Sequence, residues 1–384
     1  MRFISCEEFA TAEFARAWKR LLRSRLVYDI GNTYEWNRCW WESYREQGPW
    51  KKHWFMLAHE KRGGEIDAIF PLIIRSRFGI RIVEFLGQSG GFMTDYLGSI
   101  GAPNDRDRMA RQLLEFLAAN ADRWDLASLV LPAWGGELPW YLKTACLPAL
   151  ATTIRWNVEV PQFYVRAQLP RTFDAYLSSL GKKTRTHLRQ YLRSAERIGA
   201  TLDLYRASDA TRHVDVLFRL NSQNWRVFGG DGSREFMTRA VQDLAAADES
   251  AILGVFRVNG EACGAFQGFE KGTTCFLHTA GVTRRRIAGL SPGTTMYALF
   301  IQSLIDRAFE VFNMGPGLEE YKLRLGGSPE PIYSLRLVHK RSRIARWRAF
   351  NWSRDAFYRA RDLTRASFRS LRGRREDERP SRQT

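Results

Sequence analysis

The chain has 384 residues, enough for two or three domains at roughly 150 residues each. Its 45% hydrophobic, 13% aromatic and 26% charged residues exclude a chain disordered throughout. A formal charge of +18 gives a surface that attracts polyanions, anionic lipid headgroups or a phosphorylated cofactor.

Five cysteines, Cys6, Cys39, Cys146, Cys263 and Cys275, are widely spaced with no C-x-x-C pair. That pattern argues against a disulfide framework and a zinc site, and for a reducing cytoplasm. The N-terminus sets Glu7 and Glu8 beside Phe9 and lacks the pattern of a signal peptide. Apolar runs such as 68–74 fall far short of the roughly 18–20 residues that span a bilayer. The expectation is a cytoplasmic protein, peripheral at the inner face of a membrane at most.

Taken in chain order, Trp54–His59 and Ile66–Arg75 read as strands around Gly63-Gly64, and Arg81–Leu86 leads into a glycine turn and Asp95-Tyr96. Gly87-Gln88-Ser89-Gly90-Gly91 fits the nucleophile-elbow pattern, but the elbow needs a helix next, and Phe92–Gly101 has no helical periodicity. A serine hydrolase is therefore not expected. Phe173, Tyr176, Leu177 and Leu180 share one helical face, which Leu188, Leu192, Ala195 and Ile198 resume after Gly181. Along that region Arg185, Arg189 and Arg193 recur at i, i+4, i+8, a stripe that suits either solvent or a phosphate-bearing or acidic partner.

Next, Ala251–Val258 and Ala262–Phe269 flank Asn259-Gly260, a strong two-residue hairpin signal, and Thr274–Val282 reads as a third strand. A basic loop with Arg284, Arg285, Arg286 and Gly289 leads to Ser291-Pro292-Gly293-Thr294, where Ser at the cap and Pro at the first position open a helix to about Arg307. Free N–H groups at such a helix start bind phosphate oxygens, although an ordinary turn with solvated arginines has the same composition. Glu310–Met314 is then a short strand ending in Gly315-Pro316-Gly317. The two halves repeat one order of elements, each closing on glycines followed by an acid and a tyrosine: Asp95-Tyr96 and Glu320-Tyr321.

Residues 339–384 hold fifteen Lys and Arg against five Asp and Glu, a net +10 of the total. Trp347, Phe350, Trp352, Phe357 and Phe368 are interleaved with these charges, as in a basic amphipathic helix at an anionic membrane surface; from Gly373 onward the composition is that of a disordered tail. None of the six histidines has metal-ligand spacing, and there is neither a Walker loop nor a dinucleotide fingerprint, so no metal is expected.

The order of elements, with an anion loop between a strand and a capped helix, resembles the GNAT acyltransferases. Three segments narrow the resemblance to the branch that includes the CelD cellulose-biosynthesis proteins, related to Fem-type peptidyl transferases: 176–185 with Arg189 and Arg193, the Ser291-Pro292-Gly293 helix start, and Gly315-Pro316-Gly317-Leu318-Glu319-Glu320-Tyr321-Lys322. The resemblance is close over about 160–340 and holds only in outline before that. It implies an α/β chain of two tandem GNAT-like domains, each a mixed, mostly antiparallel sheet flanked by helices. The division is 1–155 (a degenerate repeat), 156–340 (the acyltransferase domain) and 341–384 (basic helix and tail).

It also implies an acyl-CoA-dependent N- or O-acyltransferase using acetyl-CoA or a longer acyl-CoA on a saccharide or envelope precursor. The kinship offers an aminoacyl-tRNA-dependent peptidyl transferase as the alternative, and a catalytically inactive membrane-surface scaffold as a third. Carried over by position, Arg284, Arg285, Arg286, Gly289, Ser291, Gly293 and Thr294 hold the cofactor. Arg185, Arg189, Trp225, Gly315 and Gly317 bind substrate. Tyr321, Lys322, His278 and Glu320 are the catalytic candidates, Tyr321 as the acid for a leaving thiolate. Two departures stand out, Asn313 where the family often has Asp and Val282 where an acid is usual, so the customary carboxylate base is unaccounted for.

Overall fold

The structure is a computed structural model and describes residues 1–23, 30–45, 52–54, 56–61, 63–77, 79–88, 97–223, 231–248 and 251–339. The basic tail 341–384, Trp225, and most of the elbow-like segment lie outside the described residues.

The first half runs β1 (Arg2–Phe3), α1 (Cys6–Phe9), α2 (Ala12–Arg23), α3 (Tyr34–Tyr44), β2 (Lys52–Trp54), β3 (Leu57–Glu60), β4 (Ile66–Phe70), β5 (Leu72–Arg77), β6 (Ile80–Phe85), β7 (Ile100–Gly101), α4 (Arg106–Ala119), β8 (Leu126–Pro132), α5 (Leu138–Ala145), α6 (Pro148–Ala151) and β9 (Ile154–Gln168). The second runs α7 (Phe173–Ser179), α8 (Lys182–Arg197), β10 (Thr201–Arg206), α9 (Ala207–Ser222), α10 (Asp231–Asp248), β11 (Ala251–Val258), β12 (Glu261–Lys271), β13 (Thr274–Val282), α11 (Pro292–Asp306), β14 (Val311–Pro316), α12 (Glu320–Arg324) and β15 (Ser328–His339).

Eleven strands form one sheet in the order β10-β11-β12-β13-β14-β9-β15-β8-β6-β5-β2, and β1-β3-β4-β7 form a second. The large sheet reads nearly the same from either end. Each half contributes a run of antiparallel neighbours and one parallel contact, β13 with β14 and β6 with β8. At the centre each half lends its last strand to the other: β9 pairs with β14, β15 pairs with β8, and β9 and β15 pair with each other. Two ion pairs repeat across this centre, Arg166 with Glu330 at 3.1 Å and Arg336 with Glu159 at 2.6 Å, each an arginine of one last strand with a glutamate of the other. The chain is a mixed α/β structure of two halves similar in element order, with a mostly antiparallel sheet flanked by helices.

The halves differ where proline and glycine act. The long strand expected over Ile66–Arg75 is cut at Pro71, which has no N–H for the ladder; β4 joins the small sheet and β5 the large one. In the second half the corresponding hairpin is unbroken, turning on Asn259 (φ 50°) and Gly260 (φ 76°), the two positive dihedrals its turn requires. Its sheet buries both faces. Phe256 and Phe266 pack against Phe300 and Ile301 of α11, while Leu253, Ala265 and Phe269 pack against α9, α10 and α3. Trp36 of α3 stands edge-on to Phe236 of α10, with ring centroids 4.8 Å apart, so the first half covers one face of the second half's sheet.

Candidate functional site

Parallel strands β13 and β14 pair only from Thr274–Phe276 to Val311–Asn313 and then part. The separation is built in at Gly315, whose φ of +75° only glycine adopts freely and whose added Cβ would stand 3.1 Å from Leu277 O. Gly317 (φ +98°) completes the turn and donates its N–H to Phe163 O at 2.9 Å. Strands that part in this way turn backbone N–H and C=O groups toward the gap, where an extended ligand can pair with them.

The gap leads to the start of α11. Gly289 (φ +74°) lets the preceding loop turn back, with Ser194 of α8 3.3 Å from where a Cβ would be, and Leu290 N closes onto Ile287 O. Ser291 is the N-cap, as its sequence position suggests, but its hydroxyl donates to Thr294 Oγ1 rather than capping the backbone. The first helical bond is Thr295 N to Ser291 O, and Pro292 has no N–H. Among the described residues the N–H groups of Gly293 and Thr294 have no acceptor, which together with the helix dipole makes this end of α11 receptive to an anion. Arg284, Arg285 and Arg286 are exposed on the loop in front of it, and Arg285 pairs with Glu261 at 2.6 Å, turned to the hairpin.

Beside that helix end lies a cavity of 320 Å³, within the range of small-molecule sites. Ser291 and Thr294 of α11 line it together with Tyr321, Arg324 and Leu325 from α12 and its end, and Lys183, Thr184, His187, Leu188 and Tyr191 of α8. Tyr321 therefore lines the same cavity as the anion-receptive end of α11. Its ring stacks on Tyr297 of α11 at 5.4 Å and 5°, and the two hydroxyls are hydrogen-bonded. Burial pushes the Tyr321 phenol up to about 12, against the opposing effect of the Tyr297 hydrogen bond. Burial also raises the Tyr297 phenol well above its usual range, so both hydroxyls are protonated at neutral pH.

The other catalytic candidates are dispersed. Lys322 is buried, with Nζ 2.9 Å from Glu319 Oε2 and donating to the carbonyl of Pro316, so its ammonium clamps the Gly315–Gly317 turn. Glu320 is exposed and ion-paired with Arg324. His278 lies on the opposite face of the sheet, its ring 4.8 Å from Trp36 and 5.8 Å from Phe269, and burial lowers its basicity to a pKa of about 3. It is the additional residue of a β-bulge, between Leu277 opposite Gly268 and Thr279 opposite Gln267.

Arg185, Arg189 and Arg193 share one side of α8 but not the cavity side: Arg185 donates to Ser178 O and Arg193 to Arg189 O. The cavity takes Lys183, His187 and Tyr191, which obey the same i, i+4, i+8 spacing two residues earlier. Both stripes satisfy the sequence rule, and only the packing of Leu188 and Ala195 into the core chooses between them. Tyr297 was hidden inside a helix that is apolar on nearly every side.

The corresponding place in the first half is filled. Between the starts of α4 and α5, among Arg106, Glu137 and Tyr141, the cavity is only 10 Å³, room for about one water. Where β6 and β8 part after Val83 and Ala127, the Gln88 carboxamide bridges them: it accepts from Phe85 N (3.3 Å) and Val130 N (3.2 Å) and donates to Ser128 O (2.8 Å).

Residues 182–323 match the family model described as the acetyltransferase (GNAT) domain, so the second half carries an acyltransferase domain of this type. No curated protein sequence matches the chain. Among solved structures it is similar to FemX, at 9% identity over 83% of this chain and 95% of that one with a TM-score of 0.55. It is also similar to L-PGS from Bacillus licheniformis, at 12% identity over 87% and 94%, TM-score 0.51. A third likeness is to a conserved protein of unknown function from Bacteroides thetaiotaomicron, at 11% identity over 84% and 97%, TM-score 0.52. At these identities the likeness is one of fold. Among the described residues no cluster of His, Cys, Asp and Glu could hold a metal ion, and no helix is long and apolar enough to cross a membrane.

Proposed function

We propose that the chain is an acyl-CoA-dependent N- or O-acyltransferase with one donor site, in the second half. The observation that carries this reading is a single cavity joining the anion-receptive end of α11 to the Tyr321 hydroxyl. The residues fit coenzyme A: the N–H groups of Gly293 and Thr294 would take its diphosphate, and the parted strands would pair with its amide-bearing arm. The bound thioester supplies the activated acyl group.

The acceptor attacks the thioester carbonyl while a backbone N–H of the parted strands polarises its oxygen. Tyr321, protonated across the physiological range, gives its proton to the departing sulfur, and the Tyr297 hydroxyl stabilises the phenolate that forms. Lys322 acts as a positioning residue that holds the Gly315–Gly317 turn. His278 is neutral and Glu320 is engaged with Arg324, so the acceptor arrives uncharged. The resemblance to CelD-type proteins supports a saccharide or envelope precursor as acceptor. The basic tail supports action at the cytoplasmic membrane surface.

One observation favours a second reading, an aminoacyl-tRNA donor: Lys182, Lys183, Arg185, Arg189, Arg193 and Arg197 put six basic residues on the helix that walls the cavity. Calorimetric titration with acetyl-CoA, a longer acyl-CoA and charged tRNA separates the readings. Acetyl-CoA binding with modest salt dependence is expected. Binding of charged tRNA alone, falling steeply with salt, replaces the first reading by the second.

A further inference from the structure

Among the described residues the large sheet has an unpaired edge at its centre. β9 pairs with β15 from Ile154 to Arg166, but β14 joins its other side only from Tyr164 to Gln168, and Gly317 N closes onto Phe163 O. Over 154–162 that side of β9 keeps a row of backbone N–H and C=O groups with no strand beside it. Arg155, Trp156, Asn157, Val160 and Pro161 are exposed along this stretch.

The matching edge across the centre is blocked. There β15 lacks a second neighbour over 328–331, and Pro329 and Pro331 bring no N–H to an added strand. β9 has no proline before Pro161, and its open stretch carries Trp156 and Val160, 40% and 46% exposed. The outer edge strand β10, by contrast, exposes no large apolar side chain. On the β15 side Val160 and Pro161 together oppose Tyr333, a bulge that bends β9 and ends the regular edge after Val160. What remains is a short, open, partly apolar strand edge, which is the form that accepts an added strand.

We infer that 154–160 pairs with the same segment of a second copy of this chain, antiparallel about a two-fold axis at Asn157. Opposed residues of an antiparallel ladder share a face, so under two-fold symmetry one residue must meet its own counterpart. An axis at Val158 would set Arg155 against Pro161, which has no N–H to give. An axis at Trp156 would leave Glu159 opposite Thr153, outside the strand. At Asn157 every pair falls within β9: Arg155 meets Glu159 of the second copy, Trp156 meets Val158, Ile154 meets Val160, and the two Asn157 carboxamides meet donor to acceptor. The charges suit this register. Arg336 and Asn157 of the same chain both bond Oε1 of Glu159, at 2.6 and 3.2 Å, which leaves Oε2 for an incoming guanidinium. Arg155 is exposed on the face that Glu159 shares. Trp156 stands opposite Leu337 at the rim of the first half's core, and Val158 of the second copy would cover its open side.

Sedimentation velocity of the full chain over a range of protein concentration tests this. The wild type is expected to reach twice the mass of one chain, with an association that weakens as salt is added. Arg155→Glu, which sets carboxylates against each other at both ends of the ladder, and Trp156→Thr should each raise the dimer dissociation constant at least about tenfold. Both side chains are exposed, so far-UV circular dichroism should show the fold kept in each variant. The register is read by oxidation of Asn157→Cys in a chain carrying Cys146→Ser, which removes an exposed native thiol. A cysteine that meets its own counterpart gives a disulfide-linked dimer, whereas Trp156→Cys in the same background lies diagonally about 7–8 Å from its counterpart and should crosslink at least about tenfold more slowly. A wild type that stays monomeric at every concentration overturns the proposal, because the edge then takes no second copy. A dimer unchanged by Arg155→Glu and Trp156→Thr overturns it as well, by placing the contact elsewhere, and faster crosslinking of Trp156→Cys than of Asn157→Cys overturns the two-fold axis at Asn157.

Discussion

Replacing Gly293 by Asp acts in opposite directions on stability and on donor binding. Gly293 is the second residue of α11, and a Cβ there would meet Val282 Cγ2 at 3.3 Å and Cγ1 at 3.8 Å, a contact that a small shift of the valine relieves. A carboxylate at this position complements the helix dipole and should stabilise the free protein by about 0.3–1 kcal/mol. The same carboxylate would face the diphosphate of a bound donor. Two unit charges about 4 Å apart repel by about 4 kcal/mol at an effective dielectric constant of about 20. Screening at this half-buried site brings that to about 2–3 kcal/mol, a loss of roughly 30- to 150-fold in affinity. Gly293→Ala carries the methyl contact without the charge and should leave binding within about threefold. Thermal unfolding and calorimetric titration with acetyl-CoA read both quantities on the same samples. If the Asp variant binds the donor as well as the Ala variant does, the end of α11 does not hold the diphosphate, and the donor site has been misplaced.

Three further outcomes follow from the same geometry. Tyr321→Phe should lower kcat about 100-fold with acyl-CoA affinity unchanged, and since the phenol titrates near 12, the wild type should show no alkaline loss of turnover from this group below about pH 11; equal kcat in the two proteins would return Tyr321 to a packing role. His278 is neutral in the folded chain down to about pH 3 but takes up a proton near pH 6.5 when unfolded, so stability should fall below pH 6.5 by about 1.4 kcal/mol per unit until about pH 3; His278→Leu should flatten that slope in acid denaturation followed by circular dichroism, and an unchanged slope would refute the burial argument. Deletion of 341–384 should release the protein from anionic liposomes while leaving acetyl-CoA binding intact, and retained liposome binding would show that the tail is not the anchor.

Much of the second half was legible in the sequence because its signals are local. Asn259-Gly260 fixes a hairpin through two positive dihedrals, Thr274–Val282 alternates as a strand, and Ser291-Pro292 marks a helix start whatever surrounds it. Those local rules also placed Tyr321 after a glycine turn and Thr294 at a helix end, which the fold then brought to one cavity.

What the sequence could not decide concerns groups whose neighbours are distant along the chain. Lys183, His187 and Tyr191 obey the same periodicity as Arg185, Arg189 and Arg193, and only the side of α8 that packs on α11 makes the first set the cavity wall. Lys322 has the sequence of a catalytic lysine, but its ammonium is taken by Glu319 and the Pro316 carbonyl. The exchange of β9 and β15 between halves is a long-range pairing that no window of residues encodes. The same holds for the sealing of one gap by Gln88 and the opening of the other at Gly315: each depends on where two strands part, a property of the folded sheet. The sequence by itself determined which elements form and where candidate residues fall along them; the tertiary structure alone decided which half keeps an open cavity at its helix start, because a cavity is the space left between elements and is set by their packing.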